Sequence, residues 1–150
     1  MSKEGYTRPQ AAELLRRLRE RRRFMQVVTR ARQVGKTTLV TQVVEKVFVF
    51  ASADEPTLRG SDWLDAQWEA ARLLLRDTGA RGALVVLDEV QQVPHWSEAV
   101  RRLWDADTRA RRPLKVVLLG SAPLLVQRGL PSVSRCRTRG SWWSAQTACL

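Results

Sequence analysis

Four short apolar runs, separated by stretches of helical periodicity, constrain this chain more than any other feature. They are FMQVV at 24–28, VFVFA at 47–51, ALVVL at 83–87 and KVVLL at 115–119. Each has the length of a strand. ALVVL is apolar without alternation, as expected of a strand buried on both faces. Between the runs, residues 37–46 return to helical spacing through Leu39, Val40, Val43 and Val44. Residues 62–76 do the same with Trp63, Trp68, Ala71 and Leu74 or Leu75, behind Ser61 as a cap. Ser97 is placed to cap a further helix, SEAVRRLWDAD. Ahead of the first run, residues 10–23 put Ala11, Leu14, Leu15 and Leu18 on one face and arginines on the other, with Pro9 where a first helical turn tolerates it. Strand–helix alternation of this kind predicts an α/β fold, a parallel sheet with helices on both faces. The 150 residues suffice for about one domain.

Composition narrows the classes further. Apolar residues make up 44% of the chain and are spread through several runs, a globular pattern. No run approaches the roughly 18 apolar residues of a membrane span. The first ten residues have no apolar signal core, so a cytoplasmic location and no membrane partner are expected. Two cysteines, Cys136 and Cys149, and one histidine, His95, offer neither a disulfide framework nor a zinc cluster. The net charge of +11 is uneven: residues 1–36 and 108–150 are strongly basic, and the stretch between them is acidic. Basic ends attract phosphate polymers, or form solvated helix faces.

In open parallel sheets, ligands bind beyond the C-terminal ends of the strands. Three chemically suggestive segments fall there. The first, after the first strand, is Arg30-Ala31-Arg32-Gln33-Val34-Gly35-Lys36-Thr37, followed by Thr38. It fits the phosphate-binding pattern G-x-x-x-x-G-K-[ST] at Gly35, Lys36 and Thr37, and departs from it at Arg30. Gly35 lets the backbone approach a phosphate, and the N–H groups from Ala31 to Thr38 and the helix start can face the anion. Lys36 carries a mobile ammonium to the phosphates, and the Thr37 hydroxyl suits Mg²⁺. Only four lysines occur beside 22 arginines, and one of them stands here. The second segment ends the strand ALVVL in Asp88 and Glu89. After a phosphate loop, this pair suits metal-assisted hydrolysis, with Asp88 holding the Mg²⁺ shell and Glu89 orienting or deprotonating a water. The third is Ser121, at the end of the fourth run, which either senses phosphate or water or caps the next turn.

Taken together, ARQVGKTTL, ALVVLDEVQQVPHWSEAVRRLWD and VVLLGSAPLLVQRGL resemble a family of prokaryotic AAA-type ATPases, as does ASADEP…DWLDAQWEAAR. The resemblance covers about residues 6–130. It implies a three-layer P-loop fold with a sheet in the order 5-1-4-3-2, ATP and Mg²⁺ as ligands, and Ser121 as a sensor-like residue on the central inserted strand. Glu89, Lys36 and Ser121 would be catalytic, Ala31 to Thr38 would hold the nucleotide, and Thr37 and Asp88 the metal.

The sequence departs from this family in three respects. Arg30 replaces a glycine, which either crowds the phosphates or adds charge. After Leu130 the family's continuation gives way to an acid-free tail with the pair Trp142-Trp143, as a truncated or frame-shifted product would have. The family's lid and C-terminal domain have no counterpart, and no arginine finger is assignable. The expected organisation is an amphipathic helical segment at 1–23, an ATPase core at 24–130 and a disordered basic tail at 131–150, with the sheet incomplete at its fifth-strand edge. Two rivals to hydrolysis remain: a non-hydrolysing nucleotide-binding remnant, and a basic nucleic-acid-binding module. Nucleic acid, a protein substrate and further copies of the chain stay open as partners.

Overall fold

A computed structural model describes residues 9–29, 48–53, 60–78, 83–120 and 146–149. The elements run α1 (Pro9–Arg19), β1 (Gln26–Thr29), β2 (Phe48–Ser52), α2 (Ser61–Thr78), β3 (Leu84–Asp88), a 3-10 turn (Val90–Gln92), α3 (Trp96–Arg109), β4 (Lys115–Gly120) and β5 (Gln146–Cys149). The helix expected over 37–46 lies outside the described residues.

The strands form one parallel sheet in the order β2-β3-β4-β1-β5. This is the 5-1-4-3-2 arrangement, with β4 inserted between β1 and β3. The fifth-strand edge differs from expectation. Residues 146–149, assigned above to a disordered tail, pair with β1, with Gln26 opposite Gln146 and Thr29 opposite Cys149. Ladder pairing uses backbone N–H and C=O groups that every residue except proline carries, so a segment without apolar periodicity can cover an open edge. The remainder of 131–150 lies outside the described residues.

Alternation along the strands divides the core into two layers. Val27, Val85, Leu87, Val116 and Leu118 face α2 and α3, where Trp63, Trp68, Trp96 and Trp104 pack. Val28, Leu84, Val86, Val117 and Leu119 form the other layer with Leu14 of α1, flanked by the half-buried Leu15 and Leu18. All four tryptophans are buried, so they serve as core.

Helix ends differ from expectation for physical reasons. α1 stops at Arg19 instead of continuing to residue 23. Arg22 leaves the helical path to donate from Nε to the Leu114 carbonyl (2.7 Å), from Nη1 to Thr108 Oγ1 (2.8 Å) and from Nη2 to the Trp104 carbonyl (3.0 Å). Its guanidinium also stacks on the Trp104 ring, 3.5 Å from the centroid. Burial lowers the Arg22 pKa to about 10, with Asp107 and Asp105 opposing that shift. Ser97, expected to cap α3, lies inside it: the helix begins at Trp96, with His95 as a left-handed N-cap (φ 54°) whose carbonyl accepts from the Ala99 N–H. Ser61 likewise falls within α2 as its first residue.

A buried polar network joins the two helices of the tryptophan layer. Asp107 is fully buried and accepts from Trp68 Nε1 (2.6 Å), Arg72 Nε (2.8 Å) and Arg112 Nη1 (3.2 Å). Burial opposes the Arg72 charge, but hydrogen bonds to Glu69 and Asp107 outweigh it and raise its pKa above the ordinary arginine value.

Candidate functional site

Parallel pairing brings the carboxyl ends of β1, β2, β3 and β4 to one edge of the sheet. Thr29 is level with Gly120, Ser52 with Asp88, and Leu87 with Leu118. Thr29 is the last residue before the phosphate-loop segment, and Gly120 the last before Ser121. The three segments singled out in the sequence therefore leave the sheet from neighbouring strands.

Asp88 closes β3 and is 9% exposed. Its Oδ1 accepts from the Glu89 N–H at 2.9 Å, and its carbonyl accepts from the Ala53 N–H at 3.0 Å. These contacts fix the carboxylate and tie the end of β3 to the residue after β2. Asp88 follows Leu84 and Val86 by alternation, so it belongs to the α1 side of the sheet.

Glu89 takes a left-handed backbone conformation, φ 51° and ψ 35°. A non-glycine residue there is strained, and such strain gathers at functional positions. The conformation turns the chain sharply into the 3-10 turn, where the Gln92 N–H donates to the Glu89 carbonyl (2.9 Å) and the Val93 N–H to the Val90 carbonyl (3.1 Å). Val90 is fully buried and anchors the turn. Glu89 itself is half-buried, and its Oε2 accepts from Gln91 Nε2. Gln91 is 4% exposed, and its Oε1 has no hydrogen-bond partner among the described residues.

Sequence reasoning singled out Asp88 and Glu89, which are adjacent at the edge, but passed over Gln91. The one signal available was a polar amide directly after an Asp-Glu pair, at a position the turn then buries. Arg30, Ala31, Arg32, Gln33, Val34, Gly35, Lys36, Thr37, Thr38 and Ser121 lie outside the described residues.

A family model for the AAA domain matches residues 11–139, most of the chain. The chain belongs to this AAA domain family. Membership carries a nucleotide-binding function of the ATPase type, and it agrees with the parallel sheet and its strand order. No curated protein matches the chain. Among its described residues, no helix is long and apolar enough to cross a membrane.

The donor chemistry of the edge bears on the Mg²⁺ that the sequence resemblance implies. Among the described residues, no three His, Cys, Asp or Glu side chains gather into a metal cage. Mg²⁺ seldom needs one: it binds through one or two oxygen ligands together with phosphates and waters. A single fixed carboxylate at the strand end, as Asp88 provides, fits that demand.

Proposed function

We propose that this AAA domain binds ATP at the carboxyl edge of its sheet and hydrolyses it to ADP and phosphate with Mg²⁺. The observation that carries this reading is the adjacent pair Asp88 and Glu89 at the end of β3, on the edge where β1 runs into the GKT loop. Lys36 and the backbone N–H groups of residues 31–38 bind the phosphates, with the ammonium acting as a point charge and the amides as a cradle. Thr37 and Asp88 hold the metal, which when bound neutralises charge on the β- and γ-phosphates. The Glu89 carboxylate accepts a proton from the attacking water. The water oxygen then bonds to the γ-phosphorus as the bond to the ADP oxygen breaks. Ser121, following β4 beside this edge, orients the water or a γ-phosphate oxygen.

Calorimetry with ATP and Mg²⁺, on the chain and on Lys36→Ala, tests the binding half. Micromolar binding that the variant loses supports it; no binding by a folded chain overturns it. Turnover by the chain, lost in Glu89→Gln with binding retained, supports hydrolysis. Binding without turnover leaves a non-hydrolysing remnant.

A second, compatible reading is nucleic-acid binding, favoured by a basic cluster at the opposite edge of the sheet. Arg21 and Arg23 flank the anchored Arg22, whose guanidinium bonds to Thr108 and Leu114, and Arg109 and Arg111 lie between those two residues. All four flanking arginines are exposed. Their charge suits a phosphate backbone. DNA or RNA affinity that falls with salt and survives Lys36→Ala would bear this out, no affinity would exclude it, and affinity unchanged by replacing Arg21, Arg23, Arg109 and Arg111 would exclude this cluster as its site.

A further inference from the structure

We propose that Gln91 is a positioning residue for Glu89, holding the glutamate carboxylate at the sheet edge through its side-chain amide. This rests on Glu89 acting as the general base proposed above.

The contact itself dictates which way the amide points. An ionised carboxylate only accepts hydrogen bonds, so the group facing Glu89 Oε2 must be the amide nitrogen. The amide oxygen is then turned into the protein, where it is buried without a partner among the described residues. Burying an amide oxygen in this way is unfavourable, and an apolar side chain of the same length would avoid it. Packing alone therefore does not account for a glutamine here. The interaction with Glu89 is the compensation that the structure offers.

The backbone makes the amide a firm support. Glu89 stands in a strained left-handed conformation, and the 3-10 turn after it returns the chain so that residue 91 lies beside residue 89. Val90 and Val93 are buried on either side of Gln91, and the turn packs against β4 and α3. The donor thus belongs to the rigid body of the sheet. The acceptor is a long side chain with three rotatable bonds, which needs restraint to meet a water in one geometry. Asp88 restrains the same residue from its other end, through the Glu89 N–H.

Gln91→Met and Gln91→Leu remove the donor while keeping an apolar side chain of similar volume. The full chain, the two variants, Glu89→Gln and the double variant Glu89→Gln/Gln91→Met would be compared for unfolding midpoint, ATP affinity, KM and kcat. The expected result is an unchanged midpoint and ATP affinity, an unchanged KM, and a kcat about tenfold lower in both Gln91 variants. The double variant should be no slower than Glu89→Gln alone, because a residue acting through Glu89 has nothing left to position. Wild-type kcat in both Gln91 variants, an additive loss in the double variant, or loss of folding or ATP binding in both would overturn the proposal. If Glu89→Gln turns over like the unmodified chain, or the unmodified chain does not turn over, the general-base reading fails and Gln91 falls with it. That failure is distinguished by Glu89 itself.

Discussion

The indole N–H of Trp68 donates to Oδ2 of Asp107 across 2.6 Å, and neither residue is exposed to solvent. The bond joins α2 to α3 within the tryptophan layer, and Arg72 and Arg112 complete the coordination of the same carboxylate. Asp107→Ala leaves a buried indole N–H without its acceptor and takes one acceptor each from Arg72, which keeps Glu69, and from Arg112. Removing one partner of a buried charged network typically costs about 3–5 kcal/mol, so urea unfolding should show a loss of that order. A loss below about 1 kcal/mol would mean that water or Glu69 takes over the role of the carboxylate.

Arg111 closes the C-terminal turn of α3 with φ 53°, its N–H donating to the Thr108 carbonyl at 3.1 Å. Glycine is the usual occupant of such a position because it has no β-carbon to clash. Arg111→Gly should therefore stabilise the fold, by about 1 kcal/mol, measured as a higher denaturation midpoint at unchanged slope. A destabilised variant would show that the arginine side chain contributes a contact worth more than the backbone strain.

At the edge proposed to bind nucleotide, the two acids should separate by phenotype. Glu89→Gln is expected to keep ATP affinity and lose turnover by about 10²–10⁴-fold, the range for a general base. Asp88→Asn should lose turnover and also weaken Mg²⁺-dependent ATP binding, while ATP binding measured without Mg²⁺ changes little. Equal effects of both substitutions on metal-dependent affinity would contradict the division of roles.

For the basic edge, the salt slope is the discriminating quantity. Each phosphate contact removed lowers the slope of log affinity against log salt by about 0.9 on duplex DNA. Replacing Arg21, Arg23, Arg109 and Arg111 together should reduce it by about 3 to 4 if all four engage phosphates. A slope unchanged by the replacement moves any nucleic-acid contact elsewhere on the chain.

Some of this was visible before any coordinates. ALVVL is a continuous apolar run and KVVLL is one after its lysine, and both give strands buried within the sheet. Asp88 and Glu89 are legible because a strand must end there, and its carboxyl end is where ligands bind. Local signals fail where distant residues decide. Residues 20–23 read as helix from their own composition, yet Arg22 is drawn out of the helix by Leu114, 92 positions away. Asp107 looks like one more surface acid on a charged helix until Trp68 and Arg72 are brought against it. Ser97 has the chemistry of a cap, but the chain turns two residues earlier, at His95. Gln146–Cys149 carries no apolar pattern, yet its backbone pairs with β1. Gln91 needed the 3-10 turn to bury it beside Glu89.

Arg22 has a consequence for how the molecule comes apart. It sits between α1, on one face of the sheet, and β1, and it is bonded to the end of α3, on the other face. The connection from α1 to β1 is thus pinned to the end of α3 by one guanidinium, while Lys115 of β4 donates to the Leu18 carbonyl of α1 and ties that helix to the sheet. Melting should be shared by both layers, with a single transition whichever face a probe reports on.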